Sequence, residues 1–232
     1  MQWLIAYLGY TAAAVLAILP IVNPLGAVPL VMSVAAHLPE AERQRQIRRA
    51  CIYTFVLMTA FLAAGGLIMN FFGISIPGMR IAGGMIVAFL GFGMLFPSAQ
   101  TEAAKAAASP EIKYDIAFTP LAMPGLSGAG TFAVVMSLSS QASAKQGWDR
   151  VVDFLGVATG ILLVALLSWL VLRAAERFNR VLGATGMVAL TRLMGFLMIC
   201  IGVQFIINGL MVIVADPAIW SGLAEAVRQR TQ

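Results

Sequence analysis

AILPIVNPLGAVPLVM, residues 17–32, decides the fold, because it is an uncharged apolar run interrupted by Pro20, Pro24 and Pro29. Proline inside a helix removes a backbone donor and clashes with the preceding turn, so the run predicts a broken helix. A second stretch, IAFTPLAMPGLSGAGTFAVVM at 116–136, carries Pro120 and Pro124 at the same four-residue spacing as Pro20 and Pro24, again with glycine just after. A membrane tolerates such breaks only where the freed backbone is buried in protein or lines a cavity. Breaks at matching positions of two half-sequences mark a substrate site between structural repeats.

Composition supports the membrane setting. Of 232 residues, 60% are hydrophobic and 11% charged, against about 25% charged in a soluble domain; mean hydropathy is +0.90. A hydrocarbon core of roughly 30 Å needs about 20 apolar residues per helix. Six spans are expected: Leu4–Ala36, Cys51–Gly73, Ile76–Phe96, Ile116–Ser140, Val151–Leu172 and Met187–Val214. The first is too long for a straight crossing unless it breaks at Asn23-Pro24. The start of the chain lacks the basic region of a signal peptide, so this segment is expected to be retained.

Lysine and arginine placement sets the expected orientation. Arg43, Arg45, Arg48, Arg49, Lys105, Lys113, Arg173, Arg177 and Arg180 follow the first, third and fifth spans. Lys145, Arg150, Arg228 and Arg230, with Arg80 nearby, fall on the other side. The richer loops are expected in the cytoplasm and both termini outside. The net charge of +5 is topology signalling of this kind, and nucleic-acid binding is not expected.

The chain reads as all-α and polytopic, with a first three-helix repeat at 1–97, a cytoplasmic linker at 98–115, a second repeat at 116–214 and a tail at 215–232. The proline pairs match at an offset of 100 residues; Arg80-x-x-Gly83 matches Arg192-x-x-Gly195 at 112. Three spans per repeat is odd, so the second half must run inverted relative to the first. Inverted repeats let two halves exchange roles in alternating access.

The site residues follow from the breaks. Asn23 brings an amide that donates and accepts, Pro24 opens the helix, and Gly26 permits geometry closed to other residues. In the second stretch Pro120, Pro124, Gly125 and Gly128 are the counterpart, with Ser127 and Thr131 four residues apart. Their hydroxyls can bond a substrate or bond back to carbonyls of their own helix. Free amides at one such helix end can hold a carboxylate, and the exposed carbonyls an ammonium group. Arg80 and Arg192 each sit about a turn inside a span, placed to snorkel or to act as gates.

No Asp or Glu is expected mid-membrane; Asp115, Asp153 and Asp216 fall at span ends. Asn70, Gln204 and Asn208 are read as interhelical glue, His37 as interfacial, and Cys51 and Cys200 as small packing residues. No metal, disulfide framework, cofactor or enzyme constellation is expected.

At PIVNPLGAVPLVMSVAAHLPEAERQ, IPGMRIAGGMIVAFLGFGML and DIAFTPLAMPGLSGAGTFAVVM the chain resembles the MarC family of bacterial inner-membrane proteins, also described as SnatA-type neutral amino-acid transporters. The resemblance implies six spans, membership of the LysE-like superfamily, and transport of glycine- or alanine-like solutes driven by an ion gradient. It carries roles only onto Asn23, Pro24, Gly26, Pro120, Pro124, Gly125 and Gly128. The expected function is therefore a secondary transporter, its coupling ion (proton or sodium) open, its partners the bilayer and a small solute, with a homo-oligomer possible. The alternative is a non-transporting scaffold or partner subunit. An ion channel or metal exporter lacks the acidic ring or thiolate cluster it would need.

Overall fold

The computed structural model describes residues 2–35, 38–96, 116–143, 145–215 and 217. The linker at 98–115, His37, Asp115, Asp216 and most of the tail lie outside them. The described residues form helices and no strand: α1 (Gln2–Val22), α2 (Pro24–Val34), α3 (Glu40–Phe72), α4 (Ile76–Leu95), α5 (Ala117–Leu126), α6 (Ala129–Ser143), α7 (Gly147–Arg173) and α8 (Ala175–Val214). Among the described residues, five stretches are long and apolar enough to cross a membrane: Trp3–Met32, Glu40–Phe72, Ile76–Leu95, Gly147–Arg173 and Thr185–Val214.

The expected first span is two helices, α1 and α2, separated by Asn23 alone. The expected fourth span is not one helix of crossing length but α5 and α6, with Ser127 and Gly128 between them. The second span was expected to begin at Cys51; helix α3 in fact begins at Glu40. EAERQRQIRRA is charged but contains no helix breaker, so the amphipathic turns run straight into the apolar ones. Helix α8 is two helices across Gly183, whose φ of 63° and ψ of −177° suit glycine.

Small residues let the helices approach. On α4 and α8 the contacts are reciprocal: a Cβ on Gly84 would lie 2.5 Å from the Gly202 carbonyl oxygen, and one on Gly202 2.5 Å from that of Gly84. Gly91 and Gly195 repeat this at 2.6 and 2.8 Å. Each helix thus presents glycines seven residues apart to the other, two helical turns along one face. Helix α7 lies against α1 the same way, with Gly156 on Tyr10 and Gly160 on Ala14. The Thr11 hydroxyl donates to the Gly156 carbonyl at 3.1 Å, and Tyr7 bonds Thr159 at 2.8 Å.

Helix α6 is the most enclosed element. Gly130, Thr131, Phe132, Val134, Val135, Met136, Ser137, Ser139 and Ala142 are all buried. Phe132 stacks on Phe61 with ring centres 4.1 Å apart, and the Ser139 hydroxyl donates to the Leu62 carbonyl at 2.6 Å. A fifteen-residue helix of this kind is too short to cross alone. Its burial among α1, α3 and α4 replaces contact with lipid.

Two expectations about polar and thiol residues change. Gln204 and Asn208 are exposed and bond each other at 2.9 Å along α8, so among the described residues they join no two helices. Cys51 is buried as expected, but Cys200 is exposed.

Candidate functional site

Asn23 precedes a proline, yet its backbone is left-handed, with φ 44° and ψ 63°. Asparagine is among the few non-glycine residues that adopt this region readily. Asn23 keeps its own backbone hydrogen bonds through the turn: its N–H donates to the Leu19 carbonyl at 3.0 Å, and its carbonyl accepts from Ala27 at 3.1 Å. The side chain caps α2, with Oδ1 accepting from the Gly26 N–H at 3.0 Å. Among the described residues Nδ2 meets only the weak acceptor Sδ of Met198, at 3.4 Å. Asn23 is only 9% exposed. A buried amide N–H with so weak an acceptor is left short of a full-strength hydrogen bond.

The second break has equal proline spacing but a different backbone. In an α-helix the carbonyl of Ile116 would take the N–H of residue 120, which is proline and has none. It accepts instead from Leu121 at 3.3 Å. One extra residue is thereby wound into the turn, and the shift persists: the Ala122 carbonyl accepts from Ser127 N–H at 2.8 Å. Thr119 and Met123, the residues before the prolines, have φ/ψ near −124°/121° and −129°/120°. These are the extended values that a following proline imposes. The Thr119–Pro120 peptide is cis.

Gly125 has no room for a side chain: a Cβ there would sit 2.7 Å from the Pro120 carbonyl oxygen and 3.2 Å from Leu30. Ser127 is fully buried and spends its hydroxyl on the Ala122 carbonyl at 2.8 Å. Of the two readings of this hydroxyl, backbone capping is the one the geometry realises. Ser127→Ala is accordingly expected to cost about 1 kcal/mol of stability without changing solute recognition, read as a lower unfolding midpoint with unaltered flux. Gly128 is half-buried, its carbonyl accepting from Phe132 at 3.1 Å, and Thr131 is 2% exposed.

The two breaks meet. Leu30 of α2 abuts Gly125 of α5, and a Cβ on Gly130 would lie 3.6 Å from Ile21 of α1. Closure comes from residues without sequence signals: Met94 of α4 against Gly26, Met198 of α8 against Asn23, and Leu30 itself. Methionine is unbranched and fills irregular gaps, and thirteen of them in the chain make no single one conspicuous.

Arg80 and Arg192 are not brought together at the breaks. Arg80 is half-buried beside a small cavity of about 10 Å³, bordered by Gly83, Ser137 and Phe205, whereas Arg192 is exposed. Two ion pairs outside the expected site also appear. Arg43 of α3 pairs with Glu176 of α8. Lys145 lies 2.8 Å from Asp153, which is 1% exposed within α7. The same ammonium stands 4.8 Å from the centre of the Tyr10 ring. Hydrogen bonding to Asp153, then to Tyr10, holds Lys145 above the usual lysine range. Among the described residues no group of three or more His, Cys, Asp or Glu could hold a metal.

Comparison with known proteins places this arrangement. The family described as MarC family integral membrane protein matches residues 8–214. The chain belongs to the MarC family. Relatives named inner membrane protein MarC are similar along most of their length. The one from Salmonella typhimurium is 45% identical over 210 residues, covering 85% of this chain and 92% of the relative. The one from Escherichia coli O1:K1 is 44% identical over 208 residues, with the same coverage. No solved structure matches the chain. Both proline breaks and the glycine-lined α4–α8 contact fall inside the MarC match, so this MarC-family chain is a multi-pass inner-membrane protein with its breaks in the shared region.

Proposed function

We propose that the protein is a secondary transporter of small neutral amino acids, glycine- or alanine-like, or similar small metabolites, working by alternating access across the inner membrane. The observation that carries this reading is the meeting of the two breaks, Leu30 with Gly125 and Ile21 with Gly130, together with the poorly partnered amide of Asn23 at the first of them. The solute's carboxylate would take the Asn23 N–H, and its ammonium would take carbonyls that the prolines leave without a helical donor. Close glycine contacts and methionine closure favour a small solute.

The transport cycle rests on six crossings arranged as two inverted triplets, α5 and α6 together forming the fourth. Reciprocal packing supports this arrangement. The third helices of the two halves, α4 and α8, meet across paired glycines, as elements related by an in-plane twofold would. Gly84 to Gly195 and Gly91 to Gly202 are both steps of 111 residues. The Arg80/Arg192 echo at 112 is one residue out of that register, which argues that the glycines rather than the arginines carry the repeat. Alkaline phosphatase fused at Gln232 is expected to be active and a cytoplasm-dependent reporter silent; the reverse pattern would invert the map.

Binding offers a first test. Glycine or alanine at a hundredfold excess over its Kd should stabilise the purified protein by about 2.7 kcal/mol, and Asn23→Ala should abolish the response. A response unchanged in Asn23→Ala would remove Asn23 from the site. A scaffold reading is favoured by one observation, the filling of the breaks by Met94, Met198 and Leu30. It predicts that Pro24→Ala and Pro124→Ala disturb assembly and leave any flux unchanged.

A further inference from the structure

An apolar groove of about 290 Å³ opens on the outer face of the bundle between α3 and α7, lined by Cys51, Ile52, Phe55, Leu166 and Trp169 with Arg48 at one end. From Arg48 to Phe55 it follows seven residues of α3, roughly 10 Å at the helical rise. Ile52 and Leu166 are 51% and 46% exposed, so the groove is open sideways to the bilayer. The Arg173 guanidinium stands 5.3 Å from the Trp169 ring centre, at the same end as Arg48. The Gln44 amide donates to the Arg173 carbonyl at 3.3 Å, tying the start of α3 to the end of α7.

The charges at this end are unbalanced. Glu42 lies 3.8 Å from Arg45, and Glu176 pairs with Arg43. Among the described residues no carboxylate pairs with Arg48 or Arg173. A cationic mouth leading into an apolar slot complements one kind of molecule in this setting, an amphiphile with an anionic head and a hydrocarbon tail. We propose that the α3–α7 groove is a binding site for an anionic phospholipid, its phosphate held by Arg48 and Arg173 and an acyl chain lying along Ile52, Phe55 and Leu166. The site is separate from the proline breaks and owes nothing to the transported solute.

The test uses Trp169 as the reporter. With Trp3, Trp148 and Trp220 changed to phenylalanine, the protein is placed in bilayers containing brominated phosphatidylglycerol or brominated phosphatidylcholine, and quenching is compared. Each arginine near the surface is worth about a fivefold preference for an anionic lipid, so phosphatidylglycerol should quench at least fivefold more effectively at equal mole fraction. Arg48→Gln with Arg173→Gln should bring the ratio to one, and Arg48→Lys should retain most of it. Arg48 is exposed, so its replacement leaves the core intact. Equal quenching by both lipids, or a preference that survives the double glutamine variant, would overturn the proposal by making the groove ordinary lipid contact. Loss of the preference on adding inorganic phosphate would overturn it too, since the arginines would then bind free anion rather than lipid.

Discussion

Gly202→Leu is expected to leave no stable folded monomer. A Cβ at this position would lie 2.5 Å from the Gly84 carbonyl oxygen and 2.6 Å from the Ala88 N–H nitrogen. Both are backbone atoms of α4 and neither can swing aside, so the helices must separate. Overpacking typically costs 1–3 kcal/mol where side chains can adjust; here the obstacle is main chain, and a loss above about 3 kcal/mol is expected, a large fraction of a typical total stability. The readout is monodisperse yield and unfolding midpoint in detergent. Gly93→Ala is the control, since nothing lies within 4 Å of a Cβ there. It should be neutral or slightly stabilising, as replacing a helical glycine with alanine is worth roughly 0.5–1 kcal/mol.

Gly125→Val should be the most damaging change at the second break. The Pro120 carbonyl is held close to Gly125 by the widened turn, and Leu30 closes the other side at 3.2 Å. A valine must push α2 away from α5 or unwind the turn. We expect a stability loss of about 1–3 kcal/mol and, if the contact between the breaks is the proposed site, complete loss of flux. Gly26→Ala should behave similarly at the first break, where a Cβ would press on the capping side chain of Asn23 and fall 2.8 Å from Met94. Loss of flux at an unchanged midpoint would separate a functional role from a packing one; unchanged flux in both variants would place the solute elsewhere.

The first break was legible because one residue makes it: an asparagine before a proline in an apolar run can hardly remain helical. The second was legible in place but not in extent. Pro120 and Pro124 announce lost donors, and Thr119 and Met123 take the extended backbone that proline demands. That the register slips by one residue and stays slipped to Ser127 depends on Leu121 finding the Ile116 carbonyl, a cooperative matter no single residue declares. The Arg-x-x-Gly echo falls on α4 and α8, but the residues that bring these helices together are Gly84, Gly91, Gly195 and Gly202, whose role depends on backbone approach that no short motif announces. Charge misled at the start of α3: Glu40–Ala50, whose arginines point to a loop, continues the helix. The closing methionines had no pattern to betray them, since thioether packing is set by the gaps that the backbone leaves.

Flux tests the central claim most directly. Purified protein in proteoliposomes, under an imposed proton or sodium gradient, should move labelled glycine, alanine or serine faster than empty liposomes do. Asn23→Ala loses a cap worth about 1 kcal/mol and holds alanine in a left-handed backbone at a further cost of roughly 1–2 kcal/mol, yet should remain folded while its flux falls to background. No flux of any small neutral solute above empty liposomes, or full flux in Asn23→Ala, would contradict the account.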